Sequence, residues 1–100
     1  MVYVTEHANK RIRQRVGVNK KATKRLADRA LLKGLSHSDL SGNLKKYIDK
    51  LYFSRRVANN IKIFSEKVYL FKESTLITVV TLPTPLRKYA NKLYKNKMEG

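Results

Sequence analysis

The chain has 100 residues, with 23 Lys or Arg against 7 Asp or Glu, giving a formal charge of +16 and a pI near 10.4. That length suits one domain spanning 1–100, and a hydrophobic content of 42% excludes a disordered basic tail. There is no cysteine, which excludes disulfides and Cys-based zinc sites; two histidines make no metal site alone; and no apolar run approaches the ~20 residues of a membrane helix.

Thr5 suits a helix N-cap and Glu6 its first turn. Ala8, Ile12 and Val16 then recur at spacing four, which predicts a helix to about Val16, ended by Gly17. Asn19 caps a second helix to Lys33, with Ala22, Leu26, Ala27, Ala30 and Leu31 on its apolar side. Gly34 and Leu35 read as its C-cap and hydrophobic closing contact. Residues 36–42 form a loop rich in turn-formers, in which His37 and Asp39 read as turn chemistry. Asn43 caps a third helix, whose buried face is Leu44, Tyr47, Ile48, Leu51 and Tyr52.

The period then changes. Residues 60–64, 67–72 and 75–82 predict three strands with tight connections at Ser65-Glu66 and Glu73-Ser74, an antiparallel meander. Val68, Tyr69, Leu70 and Phe71 read as core, with exposed aromatic stacking as the alternative. Pro83-Thr84-Pro85 ends the last strand. Helical spacing of Leu86, Tyr89, Ala90, Leu93 and Tyr94 marks 84–100 as a short basic C-terminal helix or tail. The expected class is α+β: three N-terminal helices, a three-stranded antiparallel sheet, then that helix.

The charge is uneven. Residues 1–34 carry a net +8, 35–58 +3, 59–82 +1 and 83–100 +4. Self-repulsion on this scale calls for a polyanionic partner, nucleic acid first. Lys20, Lys21, Lys24, Arg25 and Arg29 on the second helix, and Lys45, Lys46 and Lys50 on the third, suit backbone phosphates without sequence readout. On the first helix His7, Arg11, Gln14 and Arg15 fall at helical spacings. Histidine transfers protons near neutral pH and arginine binds phosphate, so His7, Arg11 and Arg15 are candidates for RNA cleavage without metal or cofactor. The alternative is a solvated basic face. RNA is favoured over DNA; a DNA-binding regulator using the first two helices as a helix-turn-helix is the competing reading. The helices lack Trp and need their apolar faces for the core, so no membrane partner is expected. The N-terminus shows no signal-peptide pattern, and the expected setting is the cytoplasm.

The string His7-Ala8-x-x-Arg11-x-x-x-Arg15-x-Gly17, with Val68-Tyr69-x-Phe71 and Leu76-Ile77-Thr78-Val79, resembles the small phage- and plasmid-borne relatives of RelE/ParE-like toxins. Those belong with barnase and the EndoU nucleases among metal-independent RNases, and the resemblance covers roughly residues 3–82. It implies an antiparallel sheet with basic helices packed on it and an RNA-facing cleft. His7 and Arg11 match family positions there, with Thr78 or Thr81 facing the same cleft. Two features depart from the pattern: no carboxylate is placed as base beside His7, and residues 75–82 lack a late arginine or tyrosine. Some ParE-like relatives act by binding a protein rather than cutting RNA, and a toxin-like chain implies an antitoxin partner. More loosely, the chain resembles small basic proteins of Gram-positive mobile elements, among them anti-CRISPR proteins. That resemblance implies a non-enzymatic inhibitor of a CRISPR effector or its guide RNA, a ribonucleoprotein partner.

Overall fold

A computed structural model describes residues 2–99, and the side chains of all of these except Lys20, Met98 and Glu99. The elements run β1 (Tyr3–Val4), α1 (Glu6–Arg15), α2 (Lys20–Lys33), a 3-10 turn (His37–Asp39), α3 (Gly42–Ser54), β2 (Asn60–Phe64), β3 (Lys67–Lys72), β4 (Thr75–Thr81) and α4 (Thr84–Glu99). The α+β class holds, with four helices and a four-stranded sheet.

Three details of the expected architecture are corrected. The sheet is mixed, not antiparallel: its order is β1-β4-β3-β2, and β1 lies parallel to β4. Two residues are too few to show a period, so β1 had no local signal. The third helix starts at Gly42 after Ser41, whose side chain makes no capping bond, not after Asn43. The C-terminal helix is long, at 16 residues. Pro85 sits in its first turn, where a missing N–H costs nothing.

β3 organises the interior. Its side chains alternate between faces, and both faces are buried. Tyr69 and Phe71 join Ala8, Ile12, Ala27, Ala30, Leu76 and Val79 under α1 and α2. Val68 and Leu70 join Leu44, Ile48, Ile61, Ile63, Leu82 and Ala90 under α3 and α4. The sheet therefore has one helix pair on each face, and Tyr69 and Phe71 are core rather than a stacking surface. Burial pushes the Tyr69 phenol up to about 12, because the phenolate would lose its hydration.

Gly34 is the C-cap of α2, its N–H donating to the Ala30 carbonyl at 2.9 Å, but without the usual left-handed turn. Its backbone is extended, with φ −67° and ψ 159°, not left-handed. A Cβ there would stand 2.5 Å from the Ala30 carbonyl oxygen and 3.0 Å from Lys62 Cβ. Glycine lets the chain pass between α2 and β2, and Leu35 then pairs with Ile63 through two backbone bonds of 2.8 and 3.0 Å. The β2–β3 turn uses Ser65 and Glu66 at positive φ, 50° and 64°, the backbone of a two-residue hairpin.

Residues 36–40 and α4 lock together. Asp39 accepts from the Ser36 backbone N–H at 2.9 Å and pairs with Lys97 Nζ at 2.9 Å. Lys97 also donates to the Gly34 carbonyl. The Lys97 ammonium and the Ser36 N–H hold the Asp39 carboxyl below its usual range. No helix among the described residues is long and apolar enough to cross a membrane.

Candidate nucleic-acid interface

Thr5 fixes the start of α1. Its Oγ1 accepts from the Ala8 backbone N–H at 3.1 Å, the N-cap bond expected of a threonine there. The same hydroxyl donates to the Ile77 carbonyl at 3.2 Å, and the Thr5 N–H donates to the Leu76 carbonyl at 3.1 Å. One residue thus caps a helix and ties it to the last strand.

The tie is made at a β-bulge. Leu70 pairs with Thr78 and Phe71 with Leu76, so Ile77 has no partner on β3. Such an insertion re-aims the side chain beside it. Thr78, buried to 7% exposure, bonds His7: its Oγ1 lies 3.2 Å from Nε2, and the imidazole tautomer decides which atom donates. His7 itself is exposed to solvent. The imidazole is thereby held at one nitrogen by a buried hydroxyl while the ring remains open to a ligand.

The other first-helix candidates spread out along α1. Arg11, half-buried, lies one turn on, about 6 Å along the axis, and Arg15 lies about 12 Å on. Arg15 lines a cleft of about 190 Å³ with Ser65, Lys67 and Tyr69, at the far end of the sheet. Gln14 lines a different cleft with Lys10 and Arg13. His7 and Arg11 are therefore the compact part of the set. Thr81 pairs with Lys67 across the strands and makes no bond to His7.

Lys21, Lys24, Arg25 and Arg29 are exposed on α2, and Lys45, Lys46 and Lys50 on α3. The Lys20 side chain lies outside the described residues. The two sets sit on opposite faces of the sheet, because α2 covers the Tyr69–Phe71 face and α3 the Val68–Leu70 face. Two ion pairs form among the described residues, His37–Asp49 and Lys97–Asp39, so Lys97 is the lone Lys or Arg in such a pair. None of the described Lys or Arg side chains of α2 and α3 is in an ion pair. His37 contacts Asp49 Oδ1 and lies edge-on to Tyr52, with ring centroids 5.8 Å apart. Among the described residues no three His, Asp or Glu are grouped to hold a metal.

Sequence reasoning missed the Thr5–Ile77 bond and the bulge, since neither leaves a mark in local periodicity. Against protein-family models, curated proteins and solved structures, the chain matches none.

Proposed function

We propose that this chain is a small RNA-directed protein on a RelE/ParE-like, toxin-nuclease-like fold. It binds RNA through its basic helices and cleaves it at His7 without metal. The observation that carries the reading is the His7–Thr78 hydrogen bond, which joins the first helix to the last strand where the resemblance expects a cleft. In the proposed reaction the 2′-hydroxyl of one nucleotide attacks its own 3′-phosphate. A new 2′-O–P bond forms as the P–O5′ bond breaks, leaving a 2′,3′-cyclic phosphate and a 5′-hydroxyl. His7 moves the proton, with Thr78 orienting the ring, and Arg11 offsets the charge gathering on phosphorus oxygens. Partners of this kind are RNA and an antitoxin protein.

The test is incubation of purified protein with cellular RNA in EDTA, beside His7→Ala and Thr78→Val. Loss of about 10²–10⁴-fold in rate is expected for His7→Ala. Intact RNA at large protein excess refutes the nuclease reading. Fragments made equally well by His7→Ala remove His7 from it.

Two observations favour a second reading. No Asp or Glu pairs with His7 among the described residues, and cations cover both sides of the molecule. That suits a non-enzymatic inhibitor lodged in a ribonucleoprotein such as a CRISPR effector. Tight salt-dependent RNA binding with no cleavage is its signature.

A further inference from the structure

The outer side of α3 ends in a feature that the His7 site does not use. Lys46, Lys50 and Phe53 follow at spacings of four and three, which stacks them along one face of the helix. All three are exposed, and Phe53 keeps 74% of its surface in solvent. Just beyond the helix Arg55, Arg56 and Val57 are exposed too, Val57 by 64%. The core does not need Phe53: the apolar face of α3 is Leu44 and Ile48, with Tyr47, Leu51 and Tyr52 beside them.

This end of α3 is built, not loose. The Ala58 N–H donates to the Arg55 carbonyl at 3.0 Å, and Asn59 bonds Phe71 through its backbone and Glu73 through its side chain. The Arg56 guanidinium lies over the Phe53 ring, with Cζ 5.3 Å from the centroid. The single acid of α3, Asp49, is engaged by His37. One exposed ring thus carries Arg56 against it and follows Lys46 and Lys50 along the same helix face, with Arg55 next in the chain and no free carboxylate of α3 among them.

Each part has a counterpart in an unpaired polynucleotide. Ammonium and guanidinium groups meet phosphates, and a ring backed by a guanidinium plane offers a stacking surface to any base. A duplex keeps its bases stacked inside and gives the ring nothing to hold. Two apolar side chains among four cations are too little apolar area for a stable protein interface.

We propose that Phe53 and Arg56 form a stacking platform for an unpaired base of single-stranded RNA, with Lys46, Lys50 and Arg55 on the flanking phosphates. The platform rests on the reading of the protein as RNA-directed, and lies across the sheet from His7. It makes the preferred RNA one with an unpaired stretch.

The chain has no tryptophan, so Phe53→Trp is a clean reporter. Placed in a His7→Ala background to keep the RNA whole, its fluorescence is quenched by a single-stranded RNA oligonucleotide and hardly at all by duplex RNA. Phe53→Ala binds the single strand about tenfold more weakly or worse, and loses far less toward the duplex. Phe53→Leu, apolar but without a π face, behaves like Phe53→Ala. Single-strand affinity unchanged in Phe53→Ala overturns the platform alone and leaves RNA binding standing. Wild-type affinity in Phe53→Leu overturns stacking as its mechanism. Failure of the unaltered protein to bind any RNA overturns platform and RNA-directed reading together. Tighter binding of single-stranded DNA overturns the assignment to RNA, and a dimer that Phe53→Ala dissolves assigns the patch to a second copy of the chain.

Discussion

Replacing Thr5 by alanine removes two bonds with one hydroxyl. The N-cap bond to the Ala8 N–H is worth about 1 kcal/mol. The bond to the Ile77 carbonyl, part-buried and 72 residues away, adds about 0.5–1.5 kcal/mol. The expected loss is therefore about 2 kcal/mol, or roughly 8–16 °C in Tm for a domain of this size. Urea and thermal unfolding followed by circular dichroism measure it. Thr5→Ser, which keeps the hydroxyl, should stay near the unaltered protein. Thr5→Asp, able to cap the helix but not to donate to Ile77, should recover about half the loss. Thr5→Ala unfolding with the unaltered protein, or Thr5→Ser falling as far as Thr5→Ala, would refute the claim that this hydroxyl ties α1 to the bulge.

Gly34→Ala forces a Cβ against the Ala30 carbonyl and Lys62 Cβ, and should cost about 1–3 kcal/mol in denaturant unfolding; an unchanged midpoint would mean the α2–β2 approach gives way freely. Lys97→Ala tests the strap from α4 to Asp39. The lowered Asp39 carboxyl makes the pair stabilising above its unfolded value of 3.8 and less so as pH falls through the folded value. The stability gap to the unaltered protein, up to about 1 kcal/mol at neutral pH for so exposed a pair, should close in acid; a gap constant to pH 2 counts against it. Tyr69, raised to about 12 by burial, should be the last of the six tyrosines to ionise in an ultraviolet titration, and Tyr69→Phe should remove that step. The sign follows: its neutral form stabilises the fold below pH 10, and this is lost as pH climbs toward 12. Completion of the titration near pH 10 would contradict the burial.

The legible parts of the fold were those with local causes. Thr5 and Asn19 cap the helices they were expected to cap, and each bonds the backbone three residues on. The Leu44–Tyr52 face, the two-residue connections and the helical spacing after Leu86 were likewise visible in side-chain period. The unreadable parts depend on residues far apart in the chain. Nothing near Tyr3-Val4 announces a parallel partner at Thr75-Leu76. Nothing near Ile77 announces a bulge, since neither Gly nor Pro marks it. Gly34 caps α2 as expected, but its extended backbone and the closeness of Lys62 on β2 were not legible, because the approach of β2 is set far along the chain. The basic stripes on α2 and α3 were found residue by residue, but only the alternation of β3 decides that they face opposite ways. Phe53 passed unnoticed because one apolar residue off a helix's buried face carries no periodic signal.

The pairing of β1 with β4 also sets an order in time. His7 and Thr78 are separated by 71 positions, and a chain emerges from the ribosome from its N-terminus. α1 and α2 are synthesised before Tyr69, Phe71, Leu76 and Val79, the residues that cover Ala8, Ile12, Ala27 and Ala30. Closing so long a loop is slow and waits on the final strand. An unfinished polypeptide stopping before β4 has the imidazole but no threonine to steady it. The His7–Thr78 contact therefore forms only once synthesis has passed the last strand.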